Sequence, residues 1–566
     1  MTSPDAPAAE TESERATQRR AERSAAARRG GFGFGAAIGA VVLMWLSLTP
    51  SLLPRGPLFQ GLVSGAAAAV GYGLGVAVTA LIGWLLQRPA GSPPRILRWA
   101  VGVIGCLGTV GVLFWYADWQ NELRGLMGVP DLAWHAYPIL VLIAAIVFLV
   151  LLVVARGCRA ATRGVGRLFG RILPPRVAAL LAGIVVAAVA IAALNGVVAE
   201  AAMTVLNGTF KAVNQEISDD TPEPGIPERS GGPGSLVSWE SLGRQGRIFV
   251  ANGPTAEELT AFSGRQAMTP IRAYTGLDSA ENVRAEADLA VAELRRAGGF
   301  ERAVLGVATT TGTGWINEST ASAVEYLANG DSALVSMQYS YLPSWLSFLV
   351  DQERARQAGQ ALFEAVHAVW DTLPADQRPK LVVFGESLGS FGGEAAFSSV
   401  QDMAARTDGV LFVGPTATNP VWRDATARRD PGSPQWLPIY RDGHTARFVA
   451  DARDLARPDA PWPPPRVVYL QHASDPITWW TPQLLFQKPD WLSEPRGPDV
   501  LPSTRWIPVV TFLQVSADMA VSTDVPDGHG HTFHADIANA WSAILSPEGW
   551  TEADTARLRA VLQNED

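Results

Sequence analysis

The chain has 566 residues, of which 48 % are hydrophobic and only 17 % are charged. This length exceeds one ordinary domain, and the composition is compatible with a membrane-embedded part. The cysteines, Cys106 and Cys158, both lie in the first third, which excludes a disulfide framework in the remainder. Residues 1–205 carry a net charge of +8 and the remainder −17, and an acidic, lysine-poor remainder argues against nucleic acid as a partner.

The first 205 residues predict a tail followed by membrane spans. Residues 1–30 contain Ala, Ser, Glu and Arg with almost no large apolar side chain, so we expect a disordered tail. Five apolar stretches follow, each near the roughly 20 residues that cross a bilayer. They lie at about 32–54, 58–86, 97–117, 137–155 and 177–199. Buried soluble helices are the alternative, but five successive stretches with almost no internal charge favour a transmembrane helical domain over 31–205 with the lipid bilayer as its partner. Its default role is anchoring.

Arginine clusters predict the orientation of these spans. Six arginines precede the first stretch, and further clusters lie at 88–98 and 156–176, whereas the first and third loops carry few. The positive-inside rule then predicts a cytoplasmic N-terminus. An odd number of spans places the region after about residue 200 outside the cytoplasmic membrane.

The remainder alternates between strand-like and helix-like segments. The Pro-, Gly- and acid-rich stretch 218–236 predicts a linker over 206–244. Alternation after it predicts a mostly parallel sheet with helices on both faces over 245–566. The predicted strands are 247–251, 303–309, 333–340, 381–385, 410–414, 466–472 and 509–515.

One motif stands at the end of a predicted strand. Residues 381–393 read LVVFGESLGSFGG, with Gly385, Ser387 and Gly389 in a G-x-S-x-G pattern. Strand, tight turn and helix is the arrangement of a nucleophile elbow, in which small residues flank the serine because neighbouring backbone crowds the turn. A helix N-cap without chemistry is the alternative interpretation of Ser387.

A serine nucleophile needs a base, and the base needs a carboxylate that orients it. Asp475 follows the strand 466–472, where such an acid is expected, although an Asp-Pro turn would also account for it. The glycine-rich stretch 527–535 holds three histidines, of which His531 is the favoured base and His529 the alternative. A zinc site is the rival, but no cysteine is near and the spacing is irregular. We therefore predict neither a metal nor a cofactor.

An oxyanion hole needs two backbone N–H groups. Leu388, directly after the serine, is expected to supply one. The other is expected from the loop after strand 303–309, where the small, hydroxylated Thr310 and Thr311 let the backbone approach a substrate carbonyl. A helix-capping loop is the alternative.

The GESLG elbow, the Ser474-Asp475-Pro476 acid and the GHGH loop together resemble the α/β-hydrolase superfamily, in its order, over about 245–560. The whole chain is similar to bacterial membrane-anchored α/β-hydrolases in which several N-terminal spans precede the hydrolase domain. The resemblance implies hydrolysis of an ester, thioester or amide, or acyl transfer, without a metal. The long separation from Asp475 to His531 implies an insertion, and the Pro-, Trp- and Arg-rich segment 416–465 is expected to form a cap.

These features predict a membrane-anchored serine hydrolase of the esterase or lipase kind with Ser387, His531 and Asp475 as a triad. Tryptophans near a tethered site, including Trp479 and Trp480, favour an acyl ester or lipid substrate of the envelope, although they could equally be core anchors. The alternatives are a cell-envelope acyltransferase with the same triad and a non-catalytic membrane scaffold.

Overall fold

The computed structural model describes residues 33–87, 93–193, 196, 208–217 and 221–563. The predicted disordered tail, the end of the fifth predicted span and residues 218–220 of the predicted linker lie outside these ranges.

Apolar helices open the described part of the chain: α1 Gly33–Leu46, α2 Pro57–Leu85, α3 Arg95–Leu126, α4 Ala136–Phe169 and α5 Pro175–Ala193. Four of them, α2 to α5, are long and apolar enough to cross a membrane, and α1 is shorter. Helices α1 and α2 approach so closely that a Cβ on Gly39 would lie 2.1 Å from the carbonyl oxygen of Gly71, which is the small-residue packing typical of membrane helices. These helices indicate membrane anchoring. Helices α2 to α5 lie at the positions of four predicted spans, whereas the first predicted span, 32–54, is helical only to Leu46 and continues as a loop.

A seven-stranded sheet follows, and its strand order is β1-β3-β2-β4-β5-β7-β6. The strands are β1 Ile271–Thr275, β2 Val304–Thr309, β3 Ser332–Met337, β4 Lys380–Glu386, β5 Gly409–Val413, β6 Ala446–Val449 and β7 Arg466–Leu470. Every pairing is parallel. The carboxyl ends of the strands therefore meet at one edge, where loops can assemble a site.

Helices cover both faces of this sheet. Alternate strand residues enter two separate cores, with Leu381 and Val383 in one and Val382 and Phe384 in the other. The helices of this region are α6 Gly243–Ala251, α7 Ala256–Ser263, α8 Val283–Arg296, α9 Glu318–Leu327, α10 Ser344–Val350, α11 Gln352–Trp370, α12 Leu388–Glu394, α13 Val400–Arg406, α14 Pro420–Ala427, α15 Pro476–Trp479, α16 Val510–Met519, α17 Ile537–Leu545 and α18 Glu552–Leu562. The predicted class, a helical membrane part followed by a mostly parallel sheet between helices, is confirmed.

Two predicted strands are wrong. Segment 247–251 lies in α6, and segment 509–515 lies mostly in α16. In α16, Gln514 and Asp518 are four residues apart and therefore share a helix face. That face meets the chain between α1 and α2, where both side chains find hydrogen-bond partners. This packing outweighs the strand preference of the valines around it.

Two strands, β1 and β6, were not predicted, because an arginine interrupts the apolar pattern of each. In β1, Arg272 is fully buried and its Nη2 pairs with Glu325 Oε2 at 2.7 Å. In β6, Arg447 is buried and its Nη2 donates to the carbonyl of Ala460 at 2.7 Å. The compensating groups lie outside the short window in which a strand pattern is recognised.

Two predicted boundaries also need correction. The second half of the linker 206–244 packs into the sheet region, because Trp239 and Leu242 belong to its core. The segment 416–465 is not a separate cap throughout, because it supplies β6 to the edge of the sheet. Its Trp422 is a buried core residue that donates to Gln471 Oε1 at 2.6 Å.

The segment between α1 and α2 is a loop, yet it is buried. Leu52 and Leu53 belong to the core of the sheet region. A buried loop needs partners for its backbone groups, and α16 supplies several: Gln514 Nε2 donates to the carbonyl of Thr49 at 2.8 Å, and Asp518 Oδ2 accepts from the N–H of Leu52 at 3.2 Å. The membrane region and the sheet region therefore share one packed core.

Candidate active site

Ser387 occupies a strained turn between β4 and α12. Its φ is 55° and its ψ is −122°, a conformation that costs a residue other than glycine about 1–3 kcal/mol. A Cβ on Gly385 would lie 2.5 Å from the carbonyl of Gly389, and a Cβ on Gly389 would lie 2.3 Å from the carbonyl oxygen of Thr309. The spacing of the motif is therefore required by the turn. The side chain of Ser387 makes no capping hydrogen bond, which argues against the N-cap interpretation.

Asp475 follows β7 at the same edge and is fully buried. Its Oδ2 lies 2.7 Å from His531 Nδ1. Its Oδ1 accepts from the N–H of Ile477 at 2.8 Å, so the Asp-Pro turn exists as well. The turn fixes the carboxylate, and the carboxylate fixes the orientation of the imidazole of His531.

His531 is held close to the elbow by the end of β5. A Cβ on Gly414 would lie 2.4 Å from Cε1 of the ring, and the N–H of Ser387 donates to the carbonyl of Val413 at 2.9 Å. Because Nδ1 faces Asp475, Nε2 is the nitrogen left for a proton-transfer partner. It is buried and has no hydrogen-bond partner among the described residues, Ser387 included. A base in this position commonly completes that bond only when substrate is present.

Two carboxylates influence this histidine. Burial lowers the pKa of His531, but the charge and hydrogen bond of Asp475, together with the charge of Glu386, more than offset it and raise the pKa above its usual value. Burial raises the pKa of Glu386, against the effect of His531 and of a hydrogen bond of 2.7 Å from Asn317 Nδ2. Glu386, at the variable position of the motif, and Asn317 are thus neighbours of the site that sequence reasoning missed.

The alternative base, His529, points elsewhere. Its Nδ1 lies 3.8 Å from Asp499 Oδ2. Asp499 also accepts from the N–H of Ser474 at 3.2 Å, and Ser474 Oγ accepts from the N–H of Gly530 at 2.8 Å. Asp499 and Ser474 therefore connect the turn that carries Asp475 to the loop between α16 and α17 that carries His531, here called the histidine loop. No short-range pattern marks Asp499, because its role depends on contacts made only in the fold.

The two threonines predicted for the oxyanion hole differ. Leu388 opens α12, so its N–H has no acceptor within the helix. The N–H of Thr311 already donates to the carbonyl of Trp315 at 2.9 Å within its own loop. Thr310 remains, with its Oγ1 donating to the carbonyl of Met337 at 3.0 Å. This bond argues against Thr311 as a donor, and Leu388 and Thr310 remain the candidates.

Comparison with known proteins identifies the family of the chain. Residues 271–558 match the model of an α/β-hydrolase family, and residues 48–254 match the model of that family's N-terminal region. Neither the curated proteins nor the solved structures that were compared contain a match. With one family model covering more than half of the chain and its N-terminal counterpart covering the membrane region, the chain belongs to this α/β-hydrolase family.

Proposed function

We propose that the protein is a membrane-anchored serine hydrolase that cleaves acyl esters. The observation that carries the proposal is the contact of 2.7 Å between His531 Nδ1 and Asp475 Oδ2 beside a strained serine turn. In an α/β-hydrolase a serine, a histidine and an aspartate at the carboxyl edge of the sheet form the usual acyl-transfer machinery.

The reaction follows from this geometry. Ser387 Oγ attacks the acyl carbonyl while His531 Nε2 accepts its proton, and Asp475 stabilises the imidazolium that results. The N–H groups of Leu388 and Thr310 stabilise the oxyanion. The protonated His531 then donates to the leaving alkoxide, and an alcohol departs. Water deprotonated by His531 attacks the acyl-enzyme and releases a carboxylic acid and the free serine.

An apolar acyl chain suits the surroundings of the site. A Cβ on Gly312, in the loop after β2, would lie 2.5 Å from Ser347 Oγ, so α10 rests on the predicted oxyanion loop. From there an aromatic row leads away: Phe348 and Trp480 have ring centroids 5.8 Å apart, and those of Trp480 and Phe512 are 5.7 Å apart. Phe512 lies on α16, which packs against the membrane helix α2. This continuous row of aromatic residues between the predicted oxyanion loop and α2 supports a lipid or other envelope acyl ester as the substrate.

The tryptophans Trp479 and Trp480 were predicted either to line the substrate site or to anchor the core, and their surroundings differ. Trp479 is a core residue whose Nε1 donates to the carbonyl of Ala473 at 2.9 Å. Trp480 is only half-buried and belongs to the aromatic row, so it is the one available to a substrate chain.

The side of the membrane is part of the proposal. The arginine clusters favour a cytoplasmic N-terminus, and with α1 counted as a fifth span the hydrolase region is extracytoplasmic. A cysteine introduced at the exposed Ser398 would test this, because an impermeant thiol reagent should label it in intact cells.

The experiment for the proposed chemistry is labelling of the full-length protein in bilayer nanodiscs with a fluorophosphonate probe. We expect labelling of the wild type, none of Ser387→Ala, and unchanged labelling of Ser398→Ala. A well-folded wild type that does not label would contradict the proposal and favour the inert scaffold. Product analysis with acceptor alcohols would distinguish hydrolysis from the alternative of acyl transfer, in which an ester replaces the acid as product.

A further inference from the structure

The loop that carries His531 rests on the membrane region. The N–H of His531 donates to the carbonyl of Ser522 at 2.8 Å, just after α16. A Cβ on Gly530 would lie 2.6 Å from that same carbonyl oxygen and 3.3 Å from Cδ2 of Leu53. Leu53 is fully buried and lies between α1 and α2. A leucine of the membrane region therefore packs against the backbone one residue before the proposed base.

An ion pair holds α16, the helix that precedes this loop, against the membrane region. Asp518, near the end of α16, accepts hydrogen bonds from Ser51 Oγ and, at 3.2 Å, from the N–H of Leu52. Its Oδ1 lies 3.3 Å from Arg55 Nη1, and both side chains are fully buried. Removing one partner of a buried pair leaves an uncompensated buried charge and is strongly destabilising. Residues 51–55, here called the docking segment, thus contact both α16, which precedes the histidine loop, and Gly530 within that loop.

We propose that the docking segment positions His531 for proton transfer, with Leu53 as the positioning residue and the Arg55–Asp518 pair as its anchor. The inference rests on the proposed function, because it takes His531 as the base. Proton transfer needs Nε2 within hydrogen-bond reach of the serine, and a shift of about 1 Å at a catalytic group can cost about 10²-fold in rate. The active site is therefore completed by a part of the chain that lies between two membrane helices.

The loop that contains the docking segment offers a matched pair of substitutions. Leu53→Ala and Leu48→Ala remove the same atoms from buried positions of the same loop. Leu48, however, packs in the membrane cluster with Tyr116 and Leu140 rather than in the core of the sheet region. Both should lower the thermal stability, since each Leu→Ala change leaves a cavity in a packed region. Only Leu53→Ala should disturb the histidine loop.

The test uses the full-length protein in bilayer nanodiscs with two readouts. The first is fluorophosphonate labelling, resolved into a probe-binding constant and a maximal rate. The second is hydrogen exchange of peptides covering 522–531. We expect Leu53→Ala to lower the maximal rate about 10- to 100-fold, on the scale of a small displacement of a catalytic group, with little change in probe binding and faster exchange. Leu48→Ala should leave both readouts near wild type, and Leu53→Met should restore them.

Equal labelling and exchange in Leu53→Ala and wild type would overturn the inference. So would equal losses in Leu53→Ala and Leu48→Ala, because these would report general destabilisation. If Leu53→Ala does not fold, Leu53→Val supplies the same comparison with a smaller void. If the wild type does not label, the proposed function fails, while the exchange of 522–531 still decides whether Leu53 holds the loop.

Discussion

Two buried aspartates flank the histidine loop, and they differ in what their partners can do. Asp475 faces a histidine, which can gain and lose a proton near neutral pH. Asp518 faces Arg55, whose guanidinium binds a carboxylate rather than exchanging protons in catalysis. Both are fully buried and both accept further hydrogen bonds. A buried carboxylate thus supports chemistry or assembly according to the partner it meets, and the following substitutions separate these roles.

The largest expected effect is on Asp475. Asp475→Asn should lower kcat/KM about 10³- to 10⁴-fold, because an amide no longer selects the required imidazole tautomer or stabilises the imidazolium. Thermal stability should change little, since the amide oxygen still accepts from Ile477. Ester hydrolysis and thermal unfolding of the same preparation measure both. A loss of activity below about tenfold would remove Asp475 from the triad.

Asp518→Asn should act mainly on stability. It leaves Arg55 buried without a counter-charge, which typically costs about 3–5 kcal/mol of stability. The double variant Arg55→Met with Asp518→Asn should regain part of this loss, because replacing both members of a buried pair is often nearly neutral. Chemical unfolding in detergent measures the difference. A single variant as stable as the double would show that the pair is not a coupled unit.

A smaller effect is expected at Glu386. The base must be neutral, so activity should rise with pH through the pKa of His531, which lies above the usual value of about 6.5. Glu386→Gln removes a negative charge that raises this pKa, and the rising limb of the kcat/KM profile should therefore move to lower pH. The exposed Glu552→Gln serves as control. A rising limb at the same pH in Glu386→Gln and wild type would show that the charge of Glu386 does not affect the pKa of His531.

The smallest effects are expected at the two threonines after β2. Thr310→Val removes the hydrogen bond to Met337 and should cost about 1–3 kcal/mol, because it leaves a buried carbonyl unpaired. The hydroxyl of Thr311 is buried without a partner among the described residues, so Thr311→Val should be neutral or slightly stabilising. Thermal unfolding of both variants is the measurement. A larger loss for Thr311→Val would contradict this comparison.

The position of the candidate site at the carboxyl edge of the sheet could be predicted because its evidence is local. Ser387 stands in a spaced motif, and Asp475 and His531 follow in the order expected for the family. The anchoring aspartate could not, because the partners of Asp518 lie between α1 and α2, at the opposite end of the chain. The same reason explains the error at 509–515: the helix face that Gln514 shares with Asp518 can be recognised only once the segment that it meets is known. Strand β1 was missed because the partner of Arg272 lies on α9, in a different element.

The buried docking segment also limits how the membrane helices can be exchanged between members of the family. Its contacts with α16 are specific in both charge and shape, since an arginine, a serine hydroxyl and a backbone N–H all meet one carboxylate. A chimera that takes its membrane helices from another family member must therefore take the matching helix near the other end of the chain. The unit that can be transplanted is discontinuous in sequence, and it comprises 33–193 together with 510–531.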